Sequence, residues 1–284
     1  MKKIVLALLI AVVAFTFVGC PKVYGDLDID WDSAEGGNDA YGVATIDTTK
    51  QKDFDNSTQN RGMRFLTTKH ESFSCKVKFD DVTAAGSSVM GLAFGQEDVG
   101  TYEFENKKGE KETKKLQDFA LAGVNIGTDG YVRYYVSVFR NIKETEMNGT
   151  NFSVKESNEG VFTFEDGEAV EFMFNTNRET NGFTKTNLQA AEDGTFVMNI
   201  DIKQENGSYT VTFKDKDQGE VGTVEIPYNA FKDRDGTKTV QGYTGFYANV
   251  YSNTHLKGSW TVTDIEGNPI PLEWADTEAN PLIK

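Results

Sequence analysis

Apolar residues recur at every second position along most of this chain. Phe73, Cys75, Val77 and Phe79 alternate with polar neighbours, as do Phe196, Met198, Ile200 and Ile202, and Tyr209, Val211 and Phe213. Val170, Phe172 and Phe174 repeat the pattern. A period of two places one side chain in two on the same face of an extended strand. The alternation predicts strands over residues 62–67, 72–79, 89–96, 118–126, 131–140, 169–175, 196–203, 208–214, 221–226, 244–252 and 256–265. Earlier, Leu27, Ile29 and Trp31 alternate with Asp26, Asp28, Asp30 and Asp32, which predicts an edge strand whose outward Asp row discourages pairing with other molecules. Gly127-Thr128-Asp129-Gly130 and Glu205-Asn206-Gly207 supply hairpin-type turns. No long stretch repeats every 3.6 residues. Many strands joined by polar Gly/Asn/Asp turns define an all-β sandwich or barrel.

Three polar stretches interrupt the rhythm. Residues 106–115 hold five Lys and two Glu around one Gly and read as a solvated loop. Residues 141–159 and 175–193 are rich in Asn, Thr and Gly and read as loops. Neither a Pro-rich linker nor an internal repeat divides the chain, so the strand region 61–284 is expected to form one domain. Residues 20–60, rich in Asp, Gly, Asn and Thr, are expected to be a tether carrying the edge strand.

The first nineteen residues differ from the rest. Lys2 and Lys3 precede an uncharged, mostly apolar run from Ile4 to Val18, which ends at Gly19 and Cys20. Fifteen residues fall short of the ~20 that a helix needs to cross a bilayer core. A basic start, a short apolar run and a small residue before the break are the parts of a secretory signal. The end of that run, Phe17-Val18-Gly19-Cys20, resembles the lipobox of bacterial lipoproteins. The resemblance implies removal of residues 1–19, a diacylglycerol on the Cys20 thiol and acylation (palmitate, for example) of the new N-terminus. Several acyl chains hold a protein firmly at a membrane, each buried methylene adding about 0.8 kcal/mol. The implied localisation is the bacterial cell envelope, at the outer membrane or cell surface.

Charge narrows the partners. The chain has 29 basic and 44 acidic residues, a net charge of −15. Such a field repels phosphate backbones and anionic headgroups, so no nucleic-acid partner is expected and the lipid must do the anchoring. Two Cys exclude a disulfide-rich scaffold. Cys75 shares its strand face with Phe73, Val77 and Phe79 and is expected to be an inert core thiol.

The strand patterns also resemble the concanavalin A-like lectin/glucanase jelly roll. The early half is carried by Phe73-Ser74-Cys75-Lys76-Val77-Lys78-Phe79 and Met90-Gly91-Leu92-Ala93-Phe94-Gly95. The late half is carried by Gly245-Phe246-Tyr247-Ala248-Asn249-Val250 and Gly258-Ser259-Trp260-Thr261-Val262-Thr263-Asp264-Ile265. This resemblance implies an antiparallel two-sheet β-sandwich. The family includes sugar-binding lectins, laminin-G-like adhesive modules and glycoside hydrolases, so fold alone does not choose among them.

Motifs for chemistry are sparse. A retaining glucanase of that superfamily carries spaced acids on one strand, so that two carboxyls flank one sugar. Asp28-Ile29-Asp30-Trp31-Asp32 comes nearest, but it contains only Asp and lies beside the tether. Asp215-Lys216-Asp217-Gln218-Gly219-Glu220 and Asp233-Arg234-Asp235-Gly236 place carboxylates as calcium loops do, yet read better as turns because Lys and Arg are interleaved. His70 and His255 are expected at the surface or rim. No metal or cofactor is expected.

Two strands suggest a binding face. Tyr131, Arg133 and Tyr135 fall on one side of their strand, with Val132, Tyr134 and Val136 on the other. Tyr247, Asn249 and Tyr251 likewise oppose Phe246, Ala248 and Val250. With the apolar rows in the core, the polar-aromatic rows cover an outer or concave face. Tyr rings stack on sugar C–H faces while Asn and Arg hydrogen-bond hydroxyls, and the same groups serve protein hot spots. The sequence therefore points to a non-enzymatic envelope lipoprotein that binds a glycan or a protein; the alternative is a diverged glycoside hydrolase or lyase of the same fold.

Overall fold

The computed structural model describes residues 42–50, 60–81, 88–126, 132–143, 154–156, 166–174, 195–250 and 255–273. The expected signal region, Cys20, the strand expected over Asp26–Asp32, Tyr131 and Tyr251 lie outside the described residues. Thirteen strands are described: β1 (Val43–Asp47), β2 (Asn60–His70), β3 (Phe73–Phe79), β4 (Ser88–Glu105), β5 (Lys111–Ile126), β6 (Val132–Lys143) and β7 (Val154–Glu156) come first. They are followed by β8 (Glu168–Phe174), β9 (Phe196–Glu205), β10 (Ser208–Lys214), β11 (Glu220–Ile226), β12 (Gly242–Val250) and β13 (Lys257–Thr263).

The strands form two sheets. One has six strands in the order β1-β13-β3-β9-β10-β11, and the other has seven in the order β2-β12-β4-β5-β6-β8-β7. Strands from both ends of the chain lie side by side in each, β13 between β1 and β3 and β12 between β2 and β4. This interleaving is jelly-roll winding, and the fold is an all-β two-sheet sandwich. Every pairing is antiparallel except β7 with β8, where Val154 sits opposite Ala169 in parallel.

Alternation in the sequence becomes the core between the sheets. Phe73, Cys75, Val77 and Phe79 point inward from β3, and Phe196, Met198, Ile200 and Ile202 from β9. From the facing sheet come Phe94, Val124, Tyr134 and Phe246. Burial pushes the Cys75 thiol pKa far up, as befits an inert core residue. Two polar-tipped rings cross the sandwich to find acceptors. Tyr134 of β6 donates its hydroxyl to the Val221 carbonyl at 2.9 Å. Trp260 of β13 donates its indole N–H to the Gly91 carbonyl at 3.0 Å. Both donors are thereby satisfied inside an apolar layer, where an unpaired one would cost about 1–3 kcal/mol.

Three stretches differ from the expectations. The solvated loop expected over 106–115 is only a tight turn, because Lys111 to Lys115 already belong to β5. Asn106 holds that turn: its Oδ1 accepts the N–H groups of Lys108 (2.9 Å) and Glu110 (3.0 Å), and its Nδ2 donates to Glu112 (2.7 Å). The inner row of this two-stranded ribbon, Tyr102 and Phe104 against Glu112 and Lys114, is only half-buried and half polar, so no fully apolar row marked it. The loop expected over 141–159 contributes the end of β6 and all of β7. The segment 20–60, expected to be a tether with one edge strand, supplies β1, which forms an edge of the six-stranded sheet against β13.

One end of the sandwich is closed by the connection from β11 to β12. Arg234 lies in it with a side chain only 4% exposed. Its guanidinium stacks 3.7 Å from the Phe231 ring centroid and donates to Glu97 (2.8 Å) and to the carbonyls of Gly95 and Gly207 (both 3.1 Å). Asp118 of β5, fully buried, accepts the backbone N–H of Asn141 at 2.6 Å and that of Lys232. Farther out, Asp166 pairs with Arg140 (3.2 Å) and Lys232 (2.7 Å). Burial is the main influence on Asp118, pushing its pKa up to about 6 against the two N–H donors and the nearby Arg234 and Arg140.

Candidate functional site

The outer face of the seven-stranded sheet collects the tyrosines singled out in the sequence. Residues paired across an antiparallel ladder share a face. Tyr247 of β12 pairs with Met63 and Gly91, Gly91 with Gly123, and Gly123 with Tyr135 of β6. Two tyrosines thus flank a glycine pair in one transverse row. A Cβ on Gly123 would lie 2.4 Å from Cζ of Tyr135, so the Tyr135 ring lies across the space that Gly123 leaves empty. A Cβ on Gly91 would lie 2.4 Å from the Ala122 carbonyl oxygen, so β4 and β5 also need glycine for their close approach.

Two residues along, roughly 6.6 Å away, a polar row runs from Asn249 through Val89 and Asn125 to Arg133. Asn125 and Arg133 are half-buried. Asn249 is only 3% exposed, and its Oδ1 accepts no hydrogen bond. On the other side of the tyrosines the face turns apolar. Phe65, Ala93, Phe119, Leu121, Phe139 and Ile142 make a second hydrophobic cluster, separate from the core, with Phe119 and Phe139 stacked at 4.5 Å. Tyr135, Tyr243 and Tyr247 pack against this cluster as partly buried residues.

Beyond the cluster, polar groups return. Asp98 accepts the side-chain amides of Gln117 (3.1 Å) and Gln96 (3.4 Å) and pairs with Lys115 (2.7 Å). Gln117 is fully buried and its Oε1 has no hydrogen-bond donor. The Lys69 ammonium sits 4.6 Å from the Tyr243 ring centroid. From Val89 to Asp98 the strip spans ~30 Å along β4.

The structure therefore brings Tyr135, Tyr247, Asn249 and Arg133 together on one face; Tyr131 and Tyr251 lie outside the described residues. The tyrosine rings are half-buried against phenylalanines, and Asn249 is sequestered, so the face is drier than a row of surface tyrosines would be. Gln96, Gln117, Asp98 and Tyr243 were not singled out from the sequence. For Gln96 and Asp98 a bulge is the reason: β4 shifts register between Phe94 and Glu97, around Gly95 at φ 65°, which reverses the parity until a second shift between Asp98 and Gly100. Asp215 and Asp233 sit in turns. Asp215 Oδ1 accepts the N–H groups of Asp217 (2.9 Å) and Gly219 (2.8 Å), the geometry of a self-capped turn. Among the described residues no group of three or more His, Cys, Asp or Glu is placed to hold a metal ion. His70 is half-buried with its ring 6.0 Å from Phe73, and burial lowers its pKa.

Comparison of the sequence with protein families and with characterised proteins gives no match. Solved structures match at low identity. A legume lectin-like domain from Entamoeba histolytica is 10% identical with a TM-score of 0.37, covering 79% of this chain and 84% of that one. Peanut lectin with a bound 9mer peptide is 8% identical with a TM-score of 0.32, covering 80% of this chain and 92% of that one. The CBM2 module of the evolved Dit from Lactobacillus casei BL23 phage J-1 is 10% identical with a TM-score of 0.34, covering 78% of this chain but 65% of that one. The strand order, rather than similarity at this level, carries the fold: a two-sheet β-sandwich of jelly-roll winding.

Proposed function

We propose that this protein is a lipid-anchored component of the bacterial cell envelope that binds a glycan on the outer face of its seven-stranded sheet without cleaving it. The observation that carries the reading is the row Tyr247–Gly91–Gly123–Tyr135. The Tyr135 ring, laid over Gly123, and the Tyr247 ring beside Gly91 offer flat stacking surface for a sugar ring. The neighbouring Asn125 and Arg133 supply hydrogen bonds for its hydroxyls. A length of ~30 Å suits several sugar units of an extended chain. The reading is non-enzymatic because Asp98, a carboxylate on this face, already has its oxygens engaged by Lys115, Gln96 and Gln117.

Anchoring follows from Phe17-Val18-Gly19-Cys20. Lipid on Cys20 would keep the acidic sandwich at a membrane whose headgroups repel it, with residues 21–41 as the link to β1. The outer membrane or cell surface is the setting in which such a face would meet polysaccharide. The test is glycan binding by the full chain in detergent micelles, compared with a Tyr135→Ala/Tyr247→Ala double variant. Binding that falls at least tenfold in the variant supports the reading; equal binding removes the site.

A further inference from the structure

The opposite side of the molecule carries a second feature. On the outer face of the six-stranded sheet a groove of about 430 Å³ crosses β13, β3, β9 and β10. Its floor is two transverse polar rows: Thr263, Ser74 and Asp201 in one, and Thr261, Lys76, Asn199 and Lys214 in the other. Two turns wall it, one at Gln218 and one over Asp264 to Gly267.

The charges of this floor are largely matched internally. Asp201 accepts the Ser74 hydroxyl at 2.7 Å and pairs with Lys214. Asp264 is occupied within its own turn, where Oδ1 accepts the N–H groups of Glu266 and Asn268 (both 2.9 Å) and Oδ2 the amide of Asn268 (2.8 Å). Asn199 donates to the Asp215 carbonyl at 2.7 Å, which fixes the opposite wall. Lys76 stands exposed between these arms. Three acids, Asp201, Asp264 and Glu266, face two lysines, so the lining does not favour an anion. At the lip stands Ile265, 58% exposed and the most exposed large hydrophobic residue among those described. Its side chain sets an apolar surface beside the polar floor.

We infer that this groove is a second binding site, for a neutral saccharide unit. A sugar ring offers hydroxyls that both donate and accept, and the floor presents both kinds of partner: Thr261 and Thr263 hydroxyls, the Lys76 ammonium and the Asp201 carboxylate. Its C–H face would cover Ile265. A peptide is a poorer fit, because the groove crosses the face of strands whose backbone groups are already paired, and strand addition needs a free edge. The volume matches a small ligand site, typically about 300–1,000 Å³. The inference stands apart from the tyrosine face, which lies on the other sheet. With both sites filled, the sandwich would hold glycan on two sides.

The experiment is backbone-amide NMR on the full chain in detergent micelles. It is titrated separately with glucose, galactose, mannose and N-acetylglucosamine and with cellobiose and lactose. At least one of these is expected to give saturable shifts centred on Ser74, Lys76, Thr263 and Gly267. Lys76→Ala and Ile265→Ser, both exposed and so neutral to folding, should each weaken that binding about tenfold. The Tyr135→Ala/Tyr247→Ala variant should leave it unchanged, which separates this site from the other. Absence of saturable shifts in the groove with all six sugars overturns the inference. So do shifts there that persist at full strength in both groove variants.

Discussion

The indole N–H of Trp260, in β13, donates to the carbonyl oxygen of Gly91, in β4 of the opposite sheet, at 3.0 Å. Trp260 is fully buried and packs 5.4 Å from Phe246. Within its own sheet Gly91 pairs with Tyr247 of β12 and Gly123 of β5. A single hydrogen bond through the core therefore ties the six-stranded sheet to the glycine floor between the two tyrosines.

Replacing Trp260 with Phe keeps a ring in the core but leaves the Gly91 carbonyl without its donor and a gap beside Phe246. The expected loss is about 2 kcal/mol. Urea unfolding of the two proteins measures it, and a loss within ~0.5 kcal/mol of zero would show that the cross-sheet bond does not hold the sheets together.

Gly123→Ala probes the floor directly. The new methyl would fall within 2.4–2.6 Å of the far end of the Tyr135 ring, which must swing away. A displaced side-chain end costs little, about 1 kcal/mol, so the variant should fold while glycan binding on this face weakens about tenfold. Unchanged binding, with folding confirmed by circular dichroism, would detach the Tyr135 position from function.

Asp118 makes stability depend on pH. Its pKa in the folded protein is pushed up to about 6, against 3.8 for the ordinary group. Between those values the folded state keeps a proton that the unfolded chain has released. Stability therefore falls as pH rises from about 4 to about 6, then levels off, by a contribution on the order of 3 kcal/mol. Urea midpoints at pH 4, 5, 6 and 7 should show the decline, and Asp118→Asn should flatten it. An equal slope in the variant would assign the pH dependence to other groups.

Arg234 is the clasp at that end of the sandwich. Arg234→Ala leaves Glu97 and two carbonyls without their donor and strips the cation from the Phe231 ring; the expected cost is ~3 kcal/mol. Lysine should restore little of it, because a point charge cannot serve three acceptors and a ring face at once. Full rescue by Arg234→Lys in thermal unfolding would contradict the planar-fork account.

The strand alternation made the core legible. Phe73 to Phe79, Phe196 to Ile202 and Tyr134 against Tyr135 take the sides that period two assigns them, because each such strand buries one face. Where the inner row is only half-buried and partly polar, as Tyr102 and Phe104 against Glu112 and Lys114 are, the signal weakens although the ladder continues. The site was legible in part. Residue type marked Tyr135, Tyr247 and Arg133. The sequestration of Asn249 and the assembly of Gln96, Gln117 and Asp98 depend on register across several strands and on the bulge at Gly95, which a linear pattern does not encode. Arg234 looked like a charge diluting an acidic turn, whereas burial between Phe231 and Glu97 makes it the anchor of that turn.

The most direct measurement is quantitative glycan-array binding by the full chain in detergent, with the Tyr135→Ala/Tyr247→Ala variant and Trp260→Phe beside it. The account predicts a saturable glycan signal that drops at least tenfold in the double tyrosine variant while its melting temperature stays within a few degrees of the parent. A parent that binds no glycan, or a double variant that binds as the parent does, would contradict it.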